Sequence, residues 1–149
     1  MKPNEYQQLA LRTEHTPALF NEKVEPGRER VLHGLMGVCT EAGELMDPLK
    51  RELIYGKGLD EVNVMEECGD LLWYIALALD AAGYTMEEAM EKNIAKLRAR
   101  YPEKFTEEDA LNRDLVEERK ALEVGDCNHH YRMRVSGNDY CIRCGKERE

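Results

Sequence analysis

Apolar residues recurring at three- and four-residue steps decide what this chain can fold into. Leu32, Leu35, Val38, Ala42, Leu45 and Leu49 make one stripe along a helix over 28–55. Pro48 falls inside that run, where its missing N–H and its ring kink or break the helix. Residues 60–82 form the most apolar helix, centred on Leu71-Leu72-Trp73-Tyr74-Ile75-Ala76-Leu77 and ended by Gly83. Thr85 and Glu88 have capping-box spacing and open a helix over 86–100, closed by Tyr101-Pro102. A short helix over 4–13, with Asn4 as N-cap, precedes these. Another runs from a Thr106–Asp109 cap to about Val124. Residues 14–27, with Pro17, Pro26 and Gly27, read as an irregular connection, and Gly56-Lys57-Gly58 as a turn. Strand signals are nearly absent before the tail. The expectation is an all-α body of four or five helices over 1–124, then a distinct segment over 125–149 after Gly125-Asp126.

The 149 residues are enough for one domain with a core and a small appendage. A net charge of −9 repels nucleic-acid backbones, which disfavours broad DNA or RNA binding. A nucleotide substrate stays open, because a divalent metal can sit between acidic protein and acidic phosphate. No run reaches the roughly 18 apolar residues needed to span a bilayer. The first residues, Met1-Lys2-Pro3-Asn4-Glu5, lack the apolar centre of a signal peptide, so a cytoplasmic location is expected.

Two segments interrupt the apolar pattern with carboxylates: Glu41-Ala42-Gly43-Glu44 and Glu67-Cys68-Gly69-Asp70. Three-residue spacing puts each pair on one helix face. Carboxylates in apolar surroundings need a cation or must protonate. If the two helices pack side by side, four carboxylates converge into an oxygen-rich site suited to Mg²⁺ or Mn²⁺. The competing reading is two solvated helix faces, and spacing alone does not separate the two. Gly43 and Gly69 cost helix propensity, roughly 1 kcal/mol each, which close approach of a neighbouring helix or ligand would explain.

Several segments taken in order carry a resemblance. They are Asn4-Glu5-Tyr6-Gln7, Leu35-Met36-Gly37, the two carboxylate segments continued by Leu71-Leu72-Trp73-Tyr74, Asn93-Ile94-Ala95-Lys96-Leu97 and Arg100-Tyr101-Pro102. Their order and spacing, over about residues 4–105, resemble the MazG-like nucleoside triphosphate pyrophosphohydrolases. The resemblance implies a MazG-like helical bundle that cleaves between the α- and β-phosphates, giving a nucleoside monophosphate and pyrophosphate. It implies that Glu41, Glu44, Glu67 and Asp70 bind Mg²⁺, with one of them a candidate base toward water. Such a metal offsets phosphate charge, polarises the phosphoryl oxygen and orients or activates the water. Glu66, four residues before Asp70, is a further carboxylate near the set, although the family pattern favours Glu67.

By the same resemblance Asn93 and Lys96 help bind the triphosphate, with Arg100 beside them. Tyr6, Gln7, Trp73 and Tyr74 are candidates to line a base pocket; for Trp73 and Tyr74, plain core packing competes with that role. Nothing in the spacing gives His15 or His33 a role. Family members form dimers or tetramers, so a homodimer or homotetramer is expected. Two other functions remain: a helical dUTP-type enzyme that also takes diphosphates, and a non-catalytic zinc-ribbon adaptor whose helices only dimerise.

Of the five cysteines, Cys39 and Cys68 are isolated within helical patterns, while Cys127, Cys141 and Cys144 crowd the tail. That distribution suits buried thiols and a metal site better than a disulfide framework. Cys127-Asn128-His129-His130 and Cys141-Ile142-Arg143-Cys144-Gly145 are the two halves of a small ribbon closed on a structural Zn²⁺. One histidine completes the ligand set; His129, followed closely by Tyr131, is favoured slightly over His130. Val135-Ser136-Gly137-Asn138-Asp139-Tyr140 reads as a turn and strand. So short a segment buries little core, and metal would supply its folding energy.

Overall fold

Helices build the body of the chain in the computed structural model, which describes residues 1–15, 28–123, 131–133 and 139–141. The helices are α1 (Pro3–Ala10), α2 (Arg28–Glu44), α3 (Met46–Tyr55), α4 (Glu61–Ala81), α5 (Met86–Arg100), α6 (Glu107–Leu111) and α7 (Leu115–Glu123), with a 3-10 turn over Leu11–Thr13. Two short strands, β1 (Tyr131–Met133) and β2 (Asp139–Cys141), pair antiparallel with Tyr131 opposite Cys141. No helix among the described residues is long and apolar enough to cross a membrane.

Among the described residues seven α-helices stand where four or five were expected, because two long runs break. The first breaks at Leu45, not at Pro48. Pro48 lies in the first turn of α3, where a backbone N–H has no intrahelical partner to lose, and it is fully buried. The second breaks before Leu115, because the Asp114 carboxylate accepts from the N–H groups of Val116 and Glu117, both at 3.0 Å. That side chain offers the backbone a new N-cap in place of a continued helix.

Other boundaries follow the sequence closely. Gly83, at φ 79°, ends α4: the Tyr84 N–H reaches the Leu79 carbonyl at 2.8 Å and the Gly83 N–H reaches Asp80 at 2.9 Å. The Thr85 hydroxyl accepts from the Glu88 N–H at 3.1 Å, and the Glu88 carboxylate accepts from the Thr85 N–H at 2.9 Å. Asn4 is not the cap of its own helix, which starts at Pro3, a residue suited to a first helical position. Asn4 serves α5 instead. Its Oδ1 accepts from the Glu87 N–H at 3.0 Å, as Gln7 Oε1 does from Met86 at 3.0 Å. Two side chains of α1 therefore satisfy first-turn donors of α5.

The principal pair is α2 against α4. A Cβ added at Gly34 would lie 2.9 Å from the Ala78 backbone nitrogen, and one at Gly37 would fall within the Tyr74 ring. These glycines set the closeness of the two helices. α1 packs against α4 and α5, with Ala10, Ala76 and Met86 buried together beside Tyr6, Trp73 and Leu79. Trp73 Nε1 donates to the Ala10 carbonyl and to Thr13 Oγ1, both at 2.9 Å. Arg30 grips both Glu14 oxygens at 2.6 and 2.7 Å and Asp80 at 2.8 Å. On the outside, Leu35, Met36, Leu53, Ile54, Val62 and Met65 of α2, α3 and α4 are exposed.

Nothing lies within 4 Å of a Cβ added at Gly43 or Gly69, so the helix approach expected there occurs at Gly34 and Gly37 instead. Thermal unfolding of four single alanine variants checks this. Gly34→Ala and Gly37→Ala are expected to destabilise by about 1–3 kcal/mol through overpacking. Gly43→Ala and Gly69→Ala are expected to be neutral or to stabilise by up to about 1 kcal/mol.

Candidate active site

Packing of α2 on α4 carries Glu41, in the last turn of α2, toward Glu67 and Asp70 in the first half of α4. One carboxylate oxygen from each of the three lies within 4.8 Å of the others. Glu67 is buried at 8% exposure, Glu41 is half-buried and Asp70 is exposed. Burial, then the charges of Glu44, Asp70 and Glu67, raise the Glu41 carboxyl above its ordinary value. No described Lys or Arg forms an ion pair with any of the three. Glu44, the last residue of α2, acts on Glu41 by its charge but stands outside the group. Glu66 is exposed and also outside it.

Three hard oxygen donors without a protein cation suit Mg²⁺ or Mn²⁺. The group is open to solvent at Asp70. Two contacts the sequence reading missed support its walls. Asn63 Nδ2 donates to Glu67 Oε1 at 2.8 Å; the four-residue spacing was the available signal. The Tyr6 hydroxyl donates to the Gly69 carbonyl at 3.3 Å, which ties α1 to the carboxylate turn of α4. Burial, and then the charge of Asp70, push the Tyr6 hydroxyl up.

The α5 residues divide. Asn93 is exposed, and Lys96 is half-buried with no ion pair among the described residues. Arg100 is engaged: its Nε donates to Glu118 Oε1 at 2.8 Å and its Nη2 to Oε2. Arg113 grips the same carboxylate at 3.1 and 2.8 Å. Hydrogen bonds from Arg100, then Arg113, hold Glu118 well below the usual carboxylate range. Lys92 Nζ donates to the Leu122 carbonyl at 2.5 Å, so α7 lies along the side of α5 that carries residues 92 and 100. Nothing in the local pattern around Glu118 signals this.

Among the base-pocket candidates, Gln7 is buried, and its Nε2 donates to the Ala76 and Tyr84 carbonyls at 3.3 and 3.1 Å. Trp73 and Tyr74 meet edge to face at 4.9 Å. His33 joins them, with ring centroids 6.2 Å from Trp73 and 5.6 Å from Tyr74. Of the tail residues, Cys141 is buried on β2, while Cys127, His129, His130 and Cys144 lie outside the described residues.

A family model, that of the MazG nucleotide pyrophosphohydrolase domain, matches residues 31–105. The chain belongs to this family. The MazG match runs from α2 to just beyond α5 and contains Glu41, Glu44, Glu67, Asp70, Asn93, Lys96 and Arg100. Nucleotide pyrophosphohydrolase chemistry in general comes with that membership. The MazG segment leaves α1, α6, α7 and the strand pair outside, so Tyr6 and Glu118 reach it from beyond its limits. No curated protein and no solved structure matched the chain.

Two titrations test the electrostatics. Glu118 has a lowered folded pKa, so its contribution is present above the ordinary carboxyl value of 4.5 and fades as pH falls below it. The protection factors of the α7 amides, taken against intrinsic exchange at each pH, are expected to fall on acidification in the wild type and to be low at every pH in Glu118→Gln. Glu41 has a raised folded pKa, so the opposite sign holds: metal-free stability falls as pH rises through the carboxylate range. Glu41→Gln is expected to raise the metal-free Tm at neutral pH by about 1–2 °C and to remove most of any further rise given by Mg²⁺.

Proposed function

We propose that the chain hydrolyses nucleoside triphosphates between the α- and β-phosphates, releasing a nucleoside monophosphate and pyrophosphate, with Mg²⁺ as cofactor. The observation that carries this reading is the Glu41–Glu67–Asp70 group, three oxygens within 4.8 Å inside the MazG match and without a protein cation. These three would hold the metal, leaving Glu44 as a fourth ligand or as the base toward water. The bound cation supplies charge neutralisation of the phosphates and a more acidic water. The chain's own residues do the rest. Glu67 is the buried member of the group, and Lys96 and Asn93 on α5 bind phosphate oxygens. Arg100 takes part only in exchange for Glu118.

Tyr6, Trp73 and Tyr74 form the aromatic end of the substrate site, where a base stacks. Gln7 serves that end by fixing α1 against α4 and α5. The exposed apolar side chains of α2, α3 and α4 support assembly into a homodimer or homotetramer. In the tail, Cys127, one of His129 and His130, Cys141 and Cys144 hold a structural Zn²⁺. The pairing of β1 with β2 and the burial of Cys141 support that ribbon.

A panel of ribo- and deoxynucleoside triphosphates assayed with Mg²⁺, with pyrophosphate and orthophosphate measured separately, tests the reading. Pyrophosphate release is expected, and Glu67→Gln or Asp70→Asn should lower it by about 100-fold or more. Turnover of dUDP beside dUTP would shift the assignment to a diphosphate-accepting enzyme. Absence of any metal-dependent turnover across the panel would leave the adaptor reading.

A further inference from the structure

We infer that Asn63 is a positioning residue, whose side-chain amide fixes the buried carboxylate of Glu67 for a divalent cation; this rests on the metal reading given above. Asn63 is the third residue of α4, one turn before Glu67. Its own backbone is anchored, since its N–H is taken by the Asp60 carboxylate at 3.1 Å in the N-cap of the helix. From that fixed point Nδ2 reaches Glu67 Oε1 at 2.8 Å.

The chemistry of the donor matters. Glu67 is the most buried of the three grouped carboxylates, so it has the least water to satisfy its oxygens. A glutamate also has three side-chain torsions to restrain. A neutral amide satisfies and orients one oxygen while leaving the negative charge for a metal. A lysine or arginine at this place would instead pair with the carboxylate and compete with the cation. The other two carboxylates are less firmly held. Glu41 receives only a long contact from Thr40 Oγ1 at 3.4 Å, and no side-chain hydrogen bond to Asp70 is seen among the described residues. The group is therefore organised around the member that Asn63 fixes. Outer partners of this kind set metal affinity through the orientation of the ligand they touch.

An ordinary polar pair one turn apart would stabilise the helix slightly and leave metal binding alone. Direct Mn²⁺ binding to the full chain without nucleotide, by calorimetry or electron paramagnetic resonance, separates the two roles. Asn63→Leu and Asn63→Ala are compared with wild type and with Glu67→Gln, and metal-free thermal unfolding confirms that each variant folds. The expected result is Mn²⁺ binding weakened by about tenfold or more in both Asn63 variants, each of which still unfolds cooperatively without metal. Affinity within about twofold of wild type in both, while Glu67→Gln loses binding, would overturn the positioning role and leave the metal site intact. If the wild type shows no Mn²⁺ binding that depends on Glu67, the metal reading fails and this role with it.

Discussion

Like charges do not gather unless something stronger holds them, and here that is the packing of α2 on α4. The pair is set by steric fit: Gly34 admits the Ala78 backbone and Gly37 admits the Tyr74 ring. Once those contacts form, Glu41, Glu67 and Asp70 stand close together, and the Glu41 carboxyl is raised, by burial first and by the neighbouring carboxylates second. Dispersion and apolar burial along the helices exceed that repulsion, which is softened where Asp70 is open to water. A divalent cation would turn the same crowding from a penalty into a binding site.

Elements outside the matched segment dock onto it with buried polar groups, α1 against α4 and α5, and α7 against α5. Gln7 of α1 makes both its donor and its acceptor contacts to α4, α5 and the turn between them. Glu118 of α7, 4% exposed, receives two guanidinium groups from either side. A buried polar group left without its partner costs more than the net worth of the bond it made. Each therefore specifies one docking geometry for its helix. Tyr6 extends the first brace to the Gly69 carbonyl, next to a carboxylate of the group, so a change in how α1 sits is felt at the site.

What could be read in the sequence was the part governed by neighbours a turn apart. The Thr85–Glu88 box and the Gly83 terminus are relations within one helix, and each stands as expected; of the two carboxylate pairs, Glu67 and Asp70 enter the group together, while Glu41 enters it without Glu44. Relations between helices were hidden. Gly43 and Gly69 drew attention because they sit among carboxylates, yet the glycines in close contact are Gly34 and Gly37, whose partners lie 44 and 37 residues away on α4. Asn4 has the local look of a cap for its own helix, but its partner is Glu87. Arg100 reads as an available cation until Glu118 is placed beside it. The break at Leu45 was blurred by Pro48, whose position in a first turn is permissive, so proline alone did not locate the boundary.

The charge arrangement on α5 bears on how an acidic protein, with a net charge of −9, holds a still more acidic ligand. Glu118 draws on Arg100, but it also draws in Arg113, so the three groups together keep one positive charge at the α5–α7 junction. Lys96 lies one turn before Arg100. α7 therefore does not erase the positive end of α5; it spreads that charge over a junction and fixes where the guanidinium groups point. A rigid, partly neutralised cation attracts phosphate less strongly than a bare one. On the reading proposed above, most of the attraction for a triphosphate would come from a metal between carboxylate and phosphate, and substrate affinity and metal affinity would then be bound together by the way this chain distributes its charge.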